Sequence, residues 1–425
     1  MRTTVMPGNI KGAVAAPSAK SMTQRAFAAA LLHTGQTTIY GAGDSEDELA
    51  ALGAIRQLGA TASVLAGGGI HISANGISPL GSEVDCGESG LAARLFTPIA
   101  ALAAVPLTVT GRGTLLSRPM PGIKEALTAL GVTIETNNGY LPLTLMGPIT
   151  PASISVSGNE SSQFVSGLLF TLSACAVAPV TLTVTALKSR PYIDLTLDVL
   201  NRFGRPIVHT DYREFYIDPS LFTLAQRTDI FIEGDWSGAA NLLAAGALAG
   251  QVTVINLNNS SQQADKAILQ VLRQAGAAMR VEEDTIEVSK AKLSAFEFDA
   301  THCPDLCPIL AILAAGCKGE SYIRGVHRLF HKESNRAESI AEMLQNFDVP
   351  YSIEDDALCV EGVDRLQGTV IDAFGDHRIA MAAAVGALRA NGPVDILNAA
   401  SVHKSYPAFF KDLSLCGITC ISGGE

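Results

Sequence analysis

Apolar residues in this chain gather into runs that have no polar face. SMTQRAFAAALL begins at Ser21, SGLAARLFTPIAALA at Ser89 and SSQFVSGLLFTL at Ser161. DWSGAANLLAAGALAG begins at Asp235, DLCPILAILAAG at Asp305 and DHRIAMAAAVGAL at Asp376. A helix that is apolar on every side must be buried. Each run opens on Ser or Asp, whose side-chain oxygen accepts from the open N–H groups of a first helical turn. Ser21 with Gln24 adds the spacing of a capping box. These landmarks lie 68 to 74 residues apart.

A second phrase recurs at 69 to 73 residues: an apolar helix end, a glycine, then an apolar strand. The glycines are Gly59, Gly131, Gly204, Gly276 and Gly417, and Asp348 takes the place once. Glycine there ends a helix in the left-handed conformation, which Asp tolerates better than most residues. The strands between are short and alternating, as in Leu107-Thr108-Val109-Thr110. The chain therefore reads as six copies of one α/β unit, each with two helices and a small sheet. Grouped three and three, they would form two pseudo-threefold domains that divide within residues 228–234; a solenoid of six is the alternative.

Composition narrows the function. The 425 residues are 48% hydrophobic and 17% charged, which suits large packed cores. A net charge of −11 excludes a general affinity for nucleic acid or acidic membranes, so any anion site must be built locally. Residues 164–187 carry no charge, but Ser166, Gly167 and Pro179 and the alternation from Val180 to Thr185 predict a helix, a break and a strand rather than a membrane span. The eight cysteines are scattered; the Cys303/Cys307 and Cys416/Cys420 pairs lack the further ligands of a zinc site. Buried free thiols in a reducing cytoplasm are expected, with no metal. The opening MRTTVMPGNIKG has no apolar export signal, which agrees.

The candidate chemistry sits at the helix starts, where open N–H groups and the helix dipole favour anions. Lys20 and Arg25 flank Ser21, Arg94 follows Ser89, and Asp376-His377-Arg378 opens another run. Asn159 to Gln163 offers several hydrogen-bonding side chains, Lys332, Glu333 and Arg336 cluster, and Lys404 lies in HKSYP. The glycine-rich LAGGGIHI lacks the Lys-Ser/Thr of a phosphate loop and predicts a hairpin turn.

These segments resemble those of the 5-enolpyruvylshikimate-3-phosphate synthase family. The matching motifs are AKSMTQR, ESGLAAR, SRPMPG, SSQFVSGLL, SRPYIDLT, KESNR, GDHRIAM and KSYPAFF, in family order over essentially the whole chain. The resemblance implies an α/β (α+β) fold of two pseudo-threefold domains, each of three βαββαβ units with buried helices, an inside-out α/β barrel. It implies a domain of residues 19–232, a second of 1–18 plus 233–425 completed by the N-terminal strand, an active site in the cleft, and domain closure on the substrates. It implies transfer of the enolpyruvyl group of phosphoenolpyruvate to the 5-hydroxyl of shikimate 3-phosphate, with release of phosphate.

By position, Lys20, Ser21, Arg25, Ser161, Ser162, Gln163, Ser189, Tyr192, Asp305 and Lys332 would hold shikimate 3-phosphate. Lys20, Gly90, Arg118, Gln163, Arg336, Arg378 and Lys404 would form the phosphoenolpyruvate site. Asp305, Glu333, Lys20 and Lys332 would be catalytic: Asp305 takes the 5-hydroxyl proton, and Glu333 protonates the methylene carbon and later helps deprotonate the methyl. No cofactor, metal, nucleic acid or membrane partner is implied, and a monomer is expected. The chain departs from the family pattern at Glu88 and Arg328, where many relatives have asparagine. A UDP-N-acetylglucosamine enolpyruvyl transferase would be expected to carry Lys-Asn near its start and a cysteine near Arg118; here stand Lys20-Ser21 and a segment 110–122 without cysteine. A non-catalytic anion-binding protein would be expected to lose Asp305, Lys332 or Glu333, and all three are present.

Overall fold

The computed structural model describes residues 1–159, 161–330 and 332–423. The chain forms two compact units, one of Ser18–Ile232 and one of Met1–Pro17 with Glu233–Glu425. Among the described residues there are six four-stranded sheets, three in each unit.

One repeat shows the plan. Glu83–Asp85 runs parallel to Pro106–Thr110, with the Gly90–Ala100 helix as the crossover. Pro106–Thr110 pairs antiparallel with Tyr140–Met146, which turns back on Thr133–Asn137. Along Tyr140–Met146 every second residue is buried, so Leu141, Leu143 and Leu145 face the core while the other face meets solvent. The pattern recurs with Ile154–Ser157, the Ser162–Cys175 helix and Val180–Thr185.

Strands distant in sequence complete each unit. Arg227–Phe231 pairs parallel with Gly35–Tyr40 in the Ser18–Ile232 unit. In the other, Ile10–Ala15 pairs parallel with Gly250–Ile255, and Arg2–Val5 lies between Val394–Leu397 and Cys420–Gly423.

The crossover helices form the cores, because they carry little but apolar and small side chains. All of Trp236–Ala249 is buried, as is all of Cys307–Ala315. Gly167 permits the contact of the Ser162–Cys175 and Gly90–Ala100 helices: a Cβ there would lie 2.7 Å from the Arg94 carbonyl oxygen. The six helix-ending positions are all left-handed, with φ of 108° at Gly59, 80° at Gly131, 70° at Gly204, 81° at Gly276, 58° at Asp348 and 88° at Gly417.

Four of the expected caps form. Ser89 accepts from Ala92 N, Ser161 from Gln163 N, Asp235 from Gly238 N and Asp376 from Arg378 N. Ser21 and Asp305 do not cap. The first helix runs from Lys20 to Leu32 with Ala19 at its cap position, so Ser21 lies inside the first turn. Gln24 instead accepts from Ser89 Oγ at 3.1 Å. The capping box belongs to Ser45 and Glu48, at the head of the Glu46–Gln57 helix. Asp305 lies in a short 3-10 turn, Pro304–Leu306, ahead of Cys307–Ala315. Pro308 fixes that helix start, and the Asp305 carboxylate pairs with Arg336 and Arg378.

The uncharged stretch 164–187 is a helix and a strand, and no described helix is long and apolar enough to cross a membrane. LAGGGIHI is the turn between Thr61–Val64 and Ile70–Ala74, closed by Leu65 N donating to Gly69 O. The eight cysteines are free thiols; Cys175 and Cys420 are half-buried and the others buried.

Candidate functional site

The expected site residues form two clusters, one in each unit. In the Ser18–Ile232 unit they gather at the starts of the Lys20–Leu32, Gly90–Ala100 and Ser162–Cys175 helices. Arg25 is buried. Its Nε donates to Thr196 Oγ1 at 2.8 Å, and its two Nη groups to the carbonyl oxygens of Ser21 at 2.8 Å and Tyr192 at 3.2 Å. Loss of solvation lowers its pKa to about 10, against an upward pull from Tyr192. All three acceptors are neutral, so the charge is solvated by dipoles and is suited to an incoming anion.

The same network ties the other expected residues together. Thr196 Oγ1 lies 2.8 Å from Ser166 Oγ, which donates to the Ser162 carbonyl. Tyr192 N donates to the carbonyl of Ser189, a left-handed residue (φ 53°) that opens the Arg190–Arg202 helix. Ser161, Ser162 and Gln163 form the cap and first turn of the Ser162–Cys175 helix. Glu160 lies outside the described residues.

Lys20 Nζ donates to Asp47 Oδ2 at 2.9 Å, in a largely buried ion pair. Arg118 is buried, its guanidinium laid across Gly90, where a Cβ would come within 2.5 Å of Nη1. Glu88 accepts from both N and Oγ1 of Thr114 at 3.2 Å. That pins the Gly113–Ser117 turn leading to Arg118 and gives the departure at Glu88 a structural role.

Arg94, to which the sequence assigns no site role, joins three parts of this cluster. Its Nη1 donates to the Gly90 carbonyl at 3.1 Å and to Gln163 Oε1 at 3.2 Å, and its Nη2 to the Pro119 carbonyl at 2.8 Å. Its sequence signals were its place five residues after Ser89 and the ESGLAAR motif. Thr196 closes the SRPYIDLT motif but was given no role there, and Asp47 gave no signal.

The second cluster, in the unit containing Glu233–Glu425, centres on Arg336, which has no exposed surface. Its Nε donates to Asp376 Oδ2 at 2.8 Å, Nη1 to Asp305 Oδ1 at 2.8 Å and Nη2 to Glu333 Oε2 at 2.5 Å. Arg378 donates to Asp305 Oδ2 at 2.9 Å and to Ser237 Oγ. Lys332 Nζ stands 3.5 Å from Asp305 Oδ1. Lys404 Nζ donates to the Gly375 carbonyl at 2.8 Å, in the turn before Asp376.

Burial would raise the Asp305 pKa, but Arg378, Lys332 and Arg336 together hold it well below the usual carboxylate value. Lys332 is pulled below its ordinary value by burial, which Asp305 partly offsets. Burial opposes the charge on Arg336, and Asp376, Glu333 and Asp305 overcome it, so that pKa is raised well above normal. The cluster thus brings three carboxylates, Asp305, Glu333 and Asp376, together with three cations, Arg336, Arg378 and Lys332.

The family model described as EPSP synthase (3-phosphoshikimate 1-carboxyvinyltransferase) matches residues 5–413. The chain is 35% identical over 422 residues to the 3-phosphoshikimate 1-carboxyvinyltransferase of Clostridium novyi, covering 97% of each chain. It is 38% identical over 406 residues to that of Thermococcus kodakarensis, covering 95% of this chain and 97% of the relative. Among solved structures, EPSP synthase from Acinetobacter baumannii superposes with a TM-score of 0.82 at 24% identity over 99% of this chain and all of the other. The enolpyruvyl transferase NikO from Streptomyces tendae gives 0.77 at 20% identity, over 99% and 98%. At those identities the two structures speak for the fold.

Proposed function

We propose a division of labour for a chain that belongs to the EPSP synthase family. It is a transferase that moves the enolpyruvyl group of phosphoenolpyruvate to the 5-hydroxyl of shikimate 3-phosphate and releases phosphate, in the shikimate pathway to aromatic amino acids.

In our reading Arg25, Ser21, Ser161, Ser162, Gln163, Ser189 and Tyr192 hold shikimate 3-phosphate. Arg25 is the residue most suited to its phosphate, because it brings a buried charge whose hydrogen bonds go to neutral oxygens. Lys20, Gly90, Arg118, Gln163, Arg336, Arg378 and Lys404 take phosphoenolpyruvate. Arginine's planar fork matches carboxylate and phosphate oxygens in pairs. Asp305 accepts the proton of the 5-hydroxyl as its oxygen adds to C2 of phosphoenolpyruvate. Glu333 gives a proton to C3, which becomes a methyl. In the second step the methyl returns a proton towards Glu333 and phosphate leaves from C2. Lys332 and Lys20 offset the charge that builds up, and each general acid or base step is worth roughly 10²–10⁴-fold.

The observation that carries this reading is the meeting of Asp305, Glu333, Lys332, Arg336 and Arg378 within hydrogen-bond or ion-pair distance, from segments up to 73 residues apart. We further propose that the chain acts as a monomer without nucleic acid. The net charge of −11 supports the second part and light scattering checks the first. Eight free cysteines support a reducing compartment, and we propose the cytoplasm.

The test is phosphate release from phosphoenolpyruvate with shikimate 3-phosphate, with UDP-N-acetylglucosamine in parallel. Release with the shikimate alone is expected. Release with the sugar nucleotide alone would overturn the acceptor, and release with neither would overturn the activity.

A further inference from the structure

Arg336 carries three carboxylates on one fully buried guanidinium: Asp305, Glu333 and Asp376. Arg378 holds the other oxygen of Asp305. These two arginines are the ones assigned above to phosphoenolpyruvate, and the inference rests on that assignment. A guanidinium presents its donors in one plane at fixed directions. On Arg336 the Nε, Nη1 and Nη2 groups each already meet a carboxylate. The three carboxylates also offset the charge of Arg336, Arg378 and Lys332. A further anion finds these Arg336 donors occupied until one of the side-chain carboxylates withdraws.

The three carboxylates are not equally able to withdraw. Asp376 has no side-chain exposure and also caps the His377–Ala387 helix through Arg378 N at 2.9 Å. It is fixed from two sides. The side chains of Asp305 and Glu333 are 21% and 17% exposed and so have an open side to move into. They are also the two groups assigned to proton transfer.

We propose that phosphoenolpyruvate is captured by carboxylate exchange: its anionic groups take the Arg336 and Arg378 donors held by Asp305 and Glu333, which frees Asp305 to act as base and frees Glu333 to take up a proton from solvent and then act as acid. Asp376 stays on Arg336 as its permanent anchor and is a positioning residue. One binding event then both seats the donor substrate and arms the proton-transfer groups. A carboxylate gripped by two guanidiniums is a poor proton acceptor, and the same carboxylate set free is a better one. The 5-hydroxyl therefore keeps its proton until phosphoenolpyruvate is in place.

The test is calorimetric titration of phosphoenolpyruvate into the full chain and into Asp305→Asn. The amide keeps the size of the side chain and removes the competing charge. Exchange predicts a Kd about tenfold lower in the variant, the equivalent of one charge-assisted hydrogen bond no longer displaced. An unchanged or higher Kd overturns the proposal, since Asp305 would then organise the arginines and not compete for them. Should Asp305→Asn not fold, Glu333→Gln is titrated instead, with the same expectation and the same overturning result. Turnover of the variants separates this from the mechanism above. A collapsed kcat with unchanged Kd leaves the base assignment standing and ends the exchange. A normal kcat with tighter binding ends the base assignment and keeps the exchange.

Discussion

Gly90 and Arg118 are packed so closely that a Cβ on the glycine would lie 2.5 Å from the arginine Nη1. The contact is with the far end of a flexible side chain, so Gly90→Ala should fold with a stability loss under about 1 kcal/mol. The guanidinium tip must move, however. Several-fold higher KM for phosphoenolpyruvate is expected, with KM for shikimate 3-phosphate little changed. Steady-state kinetics with each substrate varied in turn checks this.

Arg25 makes three directed hydrogen bonds that a lysine cannot reproduce. Arg25→Lys keeps the charge and loses the fork. Shikimate 3-phosphate should bind about tenfold or more weakly, while the thermal unfolding midpoint changes little, because a desolvated guanidinium has been removed. Calorimetry with shikimate 3-phosphate alone is the measurement.

Asp305 sets an acid limit to stability. Its carboxyl is held well below the ordinary value of 3.8. The unfolded chain therefore binds this proton first, and the stabilisation is fully present above about pH 4 and is lost as pH falls towards the folded value. In urea unfolding, wild type should exceed Asp305→Asn in stability at pH 6, and the gap should shrink by pH 3. A gap that does not change with pH would contradict it.

The helix-ending position at Asp348 has φ 58°, and glycine holds the equivalent place in the other five repeats. A left-handed non-glycine residue is strained by roughly 1 kcal/mol. Asp348→Gly should raise stability by up to about that amount and leave turnover unchanged. Chemical denaturation reads it.

The fold was legible because it is written six times. The left-handed helix ends and the caps at Ser89, Ser161, Asp235 and Asp376 are local signals, and repetition separated them from chance. Ser21 and Asp305 misled because Ser and Asp serve equally well elsewhere. Ser21 lies inside a helix that starts one residue earlier. Asp305 follows long-range charge, from Arg336 and Arg378, which are 31 and 73 residues away and leave no local trace. The same holds for Asp47 beneath Lys20 and Thr196 beside Arg25: their positions were in plain view, but their partners are set by tertiary packing. The motifs named the cationic groups, and the structure adds that the cations on Arg336 and Arg378 already hold carboxylates.

The account turns on a proton placed on C3 of phosphoenolpyruvate and then removed. Running the reaction in D2O with shikimate 3-phosphate and reading the product by mass spectrometry tests that directly. Deuterium in the transferred enolpyruvyl methylene is predicted for wild type, with the rate of its appearance falling by roughly 10²-fold or more in Glu333→Gln. Product formed with no deuterium in that group would contradict the account.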